Sequence, residues 1–108
     1  MDIRTKDLGP HVVLQVEGDV DLYNVGELKS AIFKKVEDEV ESLIIDMSGV
    51  PYMDSSGVGA LVAGQKRMRS NGGKFAILNV QQDVLSILQL ASLDKFFTIY
   101  ESEEDLMN

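Results

Sequence analysis

The chain has 108 residues, 44% of them apolar and 26% charged, which is the balance of one ordinary globular domain and excludes both a disordered profile and a second core of useful size. Cysteine is absent and histidine occurs once, so disulfides are excluded, zinc-type ligand sets have almost nothing to draw on, and no cofactor is expected. The net charge of −8 is uneven, with 12 acidic and 5 basic side chains in residues 1–54 against 6 and 5 in residues 55–108; nucleic-acid binding, which needs clustered Lys and Arg, is excluded as well.

The opening residues alternate apolar with charged side chains and do not form a secretory signal. No apolar run approaches the roughly 18 residues that span a bilayer, so a cytoplasmic protein without membrane contact is expected. Residues 1–108 are expected to form one domain.

Ile3 to Lys6 and His11 to Val16 read as two short strands around the turn signal Gly9-Pro10, with Val12, Leu14 and Val16 at strand period. From Asn24 the period changes. Val25, Leu28, Ile32, Val36 and Val40 share one face of a helix, and Asn24 with Glu27 resembles a capping box. Leu43 to Met47 is a nearly continuous apolar run, the pattern of a mid-sheet strand. After the loop from Ser48 to Tyr52, Val58, Leu61, Val62, Gln65 and Met68 mark a second helix running to Asn71, with Gly72-Gly73 ending it.

Phe75 to Leu78 follows as a strand, then Val84, Leu85, Leu88 and Ala91 mark a third helix. Phe96 to Tyr100 is a last strand, and Ser102 with Asp105 caps a small terminal helix. This order predicts an α/β fold: a mixed β-sheet with an N-terminal β-hairpin and flanking α-helices. The basic cluster Lys66, Arg67 and Arg69 reads as the solvated back of the second helix rather than an anion site.

The segment that carries chemistry is Asp54-Ser55-Ser56-Gly57-Val58-Gly59, where the buried strand and its loop hand over to the second helix. Ser and Asp cap orphan N–H groups at such a place, and Gly57 and Gly59 let the first turn approach the neighbouring backbone. A serine here also presents its hydroxyl to solvent. A phosphate added to it meets the helix dipole and free N–H groups, so it is tolerated by the fold.

The run from Leu43 to Leu61, centred on Met53-Asp54-Ser55-Ser56-Gly57, resembles the signature of bacterial anti-sigma factor antagonists of the STAS family. Glu17-Gly18-Asp19-Val20-Asp21, Gly72-Gly73 and Leu93-Asp94-Lys95-Phe96-Phe97 are similar to further family segments, and the resemblance spans essentially the whole chain. One departure is Ser92, where many members carry glycine, which bears on the local turn.

The resemblance implies a STAS-type fold and a partner-switching cycle. The unphosphorylated antagonist binds an anti-sigma factor that is also a serine kinase, releasing the sigma factor; the kinase phosphorylates the antagonist, and a PP2C-type serine phosphatase reverses the mark. Ser55 maps onto the phosphorylated serine; beside it, Asp21 and Asp54 are expected to help form the docking surface, and Gly57 and Gly59 to keep the helix start open. Asp21 reads equally well as a solvated loop carboxylate, and Ser56 reads as a capping or orienting residue. The free protein is expected to be a monomer or weak dimer; the alternative is a non-switching STAS scaffold in a larger signalling assembly.

An enzyme is not expected. Ser55 as a nucleophile needs a base, the only imidazole is His11 at the start of a strand, and the G-x-S-x-G elbow is missing. Gly59 to Gly64 is not a phosphate loop either, because Gln65 stands where that loop needs lysine.

Overall fold

The computed structural model describes residues 1–107. Its sheet has five strands in sequential order: β1 (Asp2–Leu8), β2 (His11–Glu17), β3 (Ser42–Gly49), β4 (Lys74–Leu78) and β5 (Thr98–Tyr100). β1 and β2 pair antiparallel as a hairpin, and the three remaining pairings are parallel. Each parallel step needs a crossover, supplied by α1 (Val25–Glu37), α2 (Ser55–Ser70) and α3 (Gln82–Leu90). A short α4 (Glu103–Leu106) closes the described chain. The expected mixed sheet with an N-terminal hairpin is thus present, and no helix among the described residues is long and apolar enough to cross a membrane.

Strand alternation divides the interior in two. Leu14, Val16, Leu43, Ile45, Met47, Phe75 and Ile77 face one side, where Leu28 and Ile32 of α1, Leu61 and Met68 of α2, and Val84 and Leu88 of α3 pack on them. Val13, Ile44, Ala76 and Leu78 face the other side, covered by Leu106 of α4. β3, apolar on both faces, lies at the centre as its composition requires.

The three long helices end alike. In each, the second residue past the last helical one has a left-handed backbone: Glu39 (φ 57°), Gly72 (φ 77°) and Ser92 (φ 59°). The following amide then reaches back to the helix, Val40 N–H to the Lys35 carbonyl, Gly73 to Met68 and Leu93 to Leu88. That is the Schellman arrangement, and it usually takes glycine at the left-handed position. Only α2 has glycine there. Val40 therefore lies beyond α1, not on its face as the periodicity suggested, although it still packs against the core.

Three other expectations need correction. Asn24 occupies the N-cap of α1 but makes no capping bond with its side chain, because its amide is engaged with Asp19 and Asp21 instead. Ser102 likewise precedes α4 without a side-chain cap. The last strand starts at Thr98, two residues later than its apolar pattern suggested. Phe97 turns into the core beside Phe75, and Gln65 donates a 2.6 Å hydrogen bond to the Phe96 carbonyl, which removes that carbonyl from the sheet.

Left-handed backbone costs a non-glycine residue about 1–2 kcal/mol, against roughly 0.5–1 kcal/mol of extra backbone entropy that glycine loses on folding. Ser92→Gly and Glu39→Gly should therefore each raise stability, by about 0.5–1 kcal/mol, in urea unfolding followed by circular dichroism.

Candidate functional site

The site forms where the chain leaves the carboxyl ends of β2 and β3. Past β2, Val20 makes a parallel bridge to Met53, donating its N–H to the Tyr52 carbonyl at 3.0 Å and accepting from Asp54 N–H at 3.1 Å. Both residues are fully buried, so the β2–α1 loop and the segment entering α2 are fixed side by side.

Asp21 organises the first of these loops. Its carboxylate accepts the Tyr23 and Asn24 amides at 2.9 and 3.1 Å, and its carbonyl accepts the Val25 amide at 2.9 Å. In return the Asp21 amide donates to the Asn24 side-chain oxygen at 2.9 Å. Of the two roles open to Asp21, the geometry adds a third: it is half-buried and holds the turn that starts α1.

Asp54 organises the second loop and joins it to the first. As N-cap of α2 it is extended, and one carboxylate oxygen accepts both the Ser56 amide (2.9 Å) and the Ser56 hydroxyl (2.5 Å). The other oxygen accepts the Leu22 amide of the neighbouring loop at 3.1 Å. The Ser56 hydroxyl, opposed in part by desolvation and supported by the amides of Ser56, Leu22 and Gly57, holds the Asp54 carboxyl below its ordinary value. The clamp is therefore intact above the usual carboxylate range and is lost only as the pH falls through that lowered value.

Ser55 is the first residue of α2 and is exposed, while its neighbours are tied down. Ser56, half-buried, donates its hydroxyl back to Asp54. Gly57 is buried, and a Cβ on it would lie 2.3 Å from Met53 Cγ and 2.9 Å from Val20 Cγ1, so its close approach is to side chains and not to the neighbouring backbone. Gly59 is different. It is exposed, with nothing within 4 Å of a built Cβ, and it does not serve a close approach. The tight glycine further along is Gly64, where a Cβ would come within 2.9 Å of the Phe75 ring.

The surface around Ser55 also carries residues that pattern reading passed over. Leu22 is 70% exposed, Tyr23 95% and Tyr52 50%. Leu22 and Tyr23 fit neither the strand period before them nor the helix period after them. An apolar pair in a turn between acidic residues is the signal that could have marked them.

The imidazole lies elsewhere. His11 Nδ1 is 2.7 Å from Ser42 Oγ and Nε2 is 3.2 Å from the Leu106 carbonyl. Ser42 begins β3 while Ser55 follows its far end, about 20 Å away at the rise of a strand. Among the described residues no cluster of His, Asp and Glu could hold a metal ion. Lys66, Arg67 and Arg69 are exposed as expected, but Arg67 stacks over the Phe33 ring of α1 at 4.7 Å.

A family model described as the STAS domain matches residues 2–106. The anti-sigma-B factor antagonist of Staphylococcus aureus is 25% identical over 104 residues, covering 96% of each chain. Among solved structures, an anti-sigma factor antagonist from Mycobacterium paratuberculosis superposes with a TM-score of 0.88 at 26% identity, covering 98% of this chain and 90% of that one. The anti-sigma factor antagonist SpoIIAA in its unphosphorylated form gives 0.83 at 21% identity, covering 98% and 93%, which supports the fold.

The two glycines near Ser55 should separate in stability measurements. Gly57→Ala overpacks against Met53 and Val20 and should cost about 1–3 kcal/mol. Gly59→Ala adds a methyl in open space to a helix and should gain about 0.5–1 kcal/mol. Asp54→Asn keeps a capping oxygen but loses the acceptor for Leu22; its melting temperature should change little while hydrogen exchange at the Leu22 amide accelerates.

Proposed function

The chain belongs to the STAS domain family, and we propose that it is an anti-sigma factor antagonist switched by phosphorylation at Ser55. In this reading the unphosphorylated protein binds an anti-sigma factor that is also a serine kinase and thereby frees a sigma factor. The kinase marks Ser55 and leaves, and a PP2C-type serine phosphatase resets the protein. The nucleotide belongs to the kinase; this chain is its substrate and needs no cofactor. The proposal is of a binding protein working in the cytoplasm, with no catalytic group of its own.

The observation that carries this reading is the setting of Ser55: exposed in the first turn of α2, next to the Asp54 clamp and beside Leu22, Tyr23 and Tyr52 in solvent. Large apolar side chains held out on a hydrogen-bonded loop suit an interface, where buried aromatic anchors carry most of the binding energy. Asp21 contributes by fixing the turn that presents Tyr23, and Asp54 by fixing that turn to Ser55. Gly57 seats the first turn of α2 on Met53, and Ser56 holds Asp54 in place. Gly59 leaves a shallow exposed spot on the same helix, where it fits a close partner contact better than an internal one.

A single phosphate suffices for the switch. It adds about −1.5 to −2 charges at neutral pH, at a helix N-terminus where the fold tolerates it. In a closed interface the same group is desolvated beside Asp54 and Asp21. A mismatch of about 3 kcal/mol lowers affinity roughly 150-fold. SpoIIAA, whose fold this chain shares, is known in a phosphorylated form as well.

Affinity capture from host lysate with three baits tests the proposal. Wild type and Ser55→Ala should retain an ATP-binding anti-sigma factor of the serine kinase class, and Ser55→Asp should lose it. Capture of the same proteins by all three baits would contradict the switch and favour a scaffold role. Tyr23→Ala should weaken the retained complex about tenfold or more without changing the fold.

A further inference from the structure

The opposite end of α2 holds a second feature that the switch does not use. β5 begins opposite Ala76, so the edge of β4 at Lys74 and Phe75 has no partner strand. A cavity of about 450 Å³ opens in that gap, between the end of α2, the starts of β2, β3 and β4, and α4. Its volume is within the range of small-molecule sites.

The lining is one-sided in charge. Arg69 and Lys74 stand at the cavity, and neither has an ion-pair partner among the described residues. No Asp or Glu lines it, in a chain whose net charge is −8. Two polar side chains of the lining are themselves almost fully buried, Ser42 at 3% and Gln65 at 5% exposed. Gln65 gives one amide hydrogen to the Phe96 carbonyl, leaving the second available to the cavity. The hydroxyls of Thr98 and Tyr100 complete a donor-rich wall, and Ile44, Phe96 and Leu106 supply apolar surface.

We propose that this cavity binds a small organic anion, its carboxylate or phosphate group held by Arg69, Lys74 and the Gln65 amide and its apolar body laid against Phe96 and Leu106. Unpaired cations beside buried amide and hydroxyl donors recognise such a head group, and a guanidinium matches it with two parallel hydrogen bonds. The site is separate from Ser55. Gln65 and Arg69 lie ten and fourteen residues further along α2, about 15–20 Å at helical rise. A ligand there also touches α4 through Leu106, whose carbonyl faces His11, so it bridges the C-terminal helix to the sheet.

The test is a titration of the isotope-labelled protein with phenyl phosphate and with benzoate at constant ionic strength, followed by amide chemical shifts, with sodium chloride as control. Saturating shifts with either probe at the Gln65 side-chain amide and at the Lys74 and Thr98 amides are expected. The paired substitution Arg69→Ala and Lys74→Ala, both on exposed side chains, should raise the dissociation constant at least tenfold, and Ser55→Asp should leave it unchanged. Shifts that chloride reproduces, that never saturate, or that survive in the paired variant would overturn the assignment.

Discussion

The Asp54 carboxylate is the point on which the site depends. Three donors from two chain segments converge on it: the amide and hydroxyl of Ser56, and the amide of Leu22. The first two start α2, and the third fastens the β2–α1 loop to that start. Without Asp54 the helix would lose a cap and the loop its tie, and the start of α2 at Ser55 would no longer be fastened to the β2–α1 loop. Behind this polar clamp lies an apolar one, in which Val20, Met53 and the bare α-carbon of Gly57 meet with no room for another methyl. The clamp places a modifiable hydroxyl at the positive end of a 16-residue helix, while leaving that hydroxyl exposed.

This arrangement separates what the fold tolerates from what an interface tolerates. A phosphate on Ser55 in water is favoured by the helix dipole and remains hydrated, so the sheet and its two apolar layers are undisturbed. The same phosphate pressed into a partner must lose its water next to the Asp54 carboxylate, which is already committed to the Ser56 and Leu22 amides. The acidic character of residues 1–54, apparent in the bare composition, supplies the background that makes this costly. Further along α2 the balance reverses, with Arg67 over Phe33 and Arg69 at the cavity, so the helix carries opposite charge preferences at its two ends.

Most of the fold was legible because strong periodicity and continuous apolar runs coincide with the actual elements. The apolar residues Leu43, Ile44, Ile45 and Met47 run through β3, which lies mid-sheet, and the hairpin follows from Gly9-Pro10. Helix ends were legible only where glycine marks them. Gly72 announced the end of α2, whereas Glu39 and Ser92 adopt the same left-handed turn with side chains that give no such sign. The start of the last strand differs because the Phe96-Phe97 pair has the composition of a strand, and only Gln65, distant in sequence, reveals that the Phe96 carbonyl is bonded elsewhere. In the site, the helix start at Asp54 and Ser55 was readable from local chemistry. The Leu22–Asp54 hydrogen bond spans 32 residues and could not be read, and with it the reason that Leu22 and Tyr23 are held in solvent.

Phosphate mapping is the most direct measurement on the proposed switch at Ser55. The protein would be incubated with ATP and the kinase retained by the wild-type bait, and the modified residue located by mass spectrometry. A single phosphate on Ser55, full modification of Ser56→Ala and none of Ser55→Ala are expected. A phosphate on Ser56, the residue whose hydroxyl is bonded to Asp54, would contradict the proposed switch.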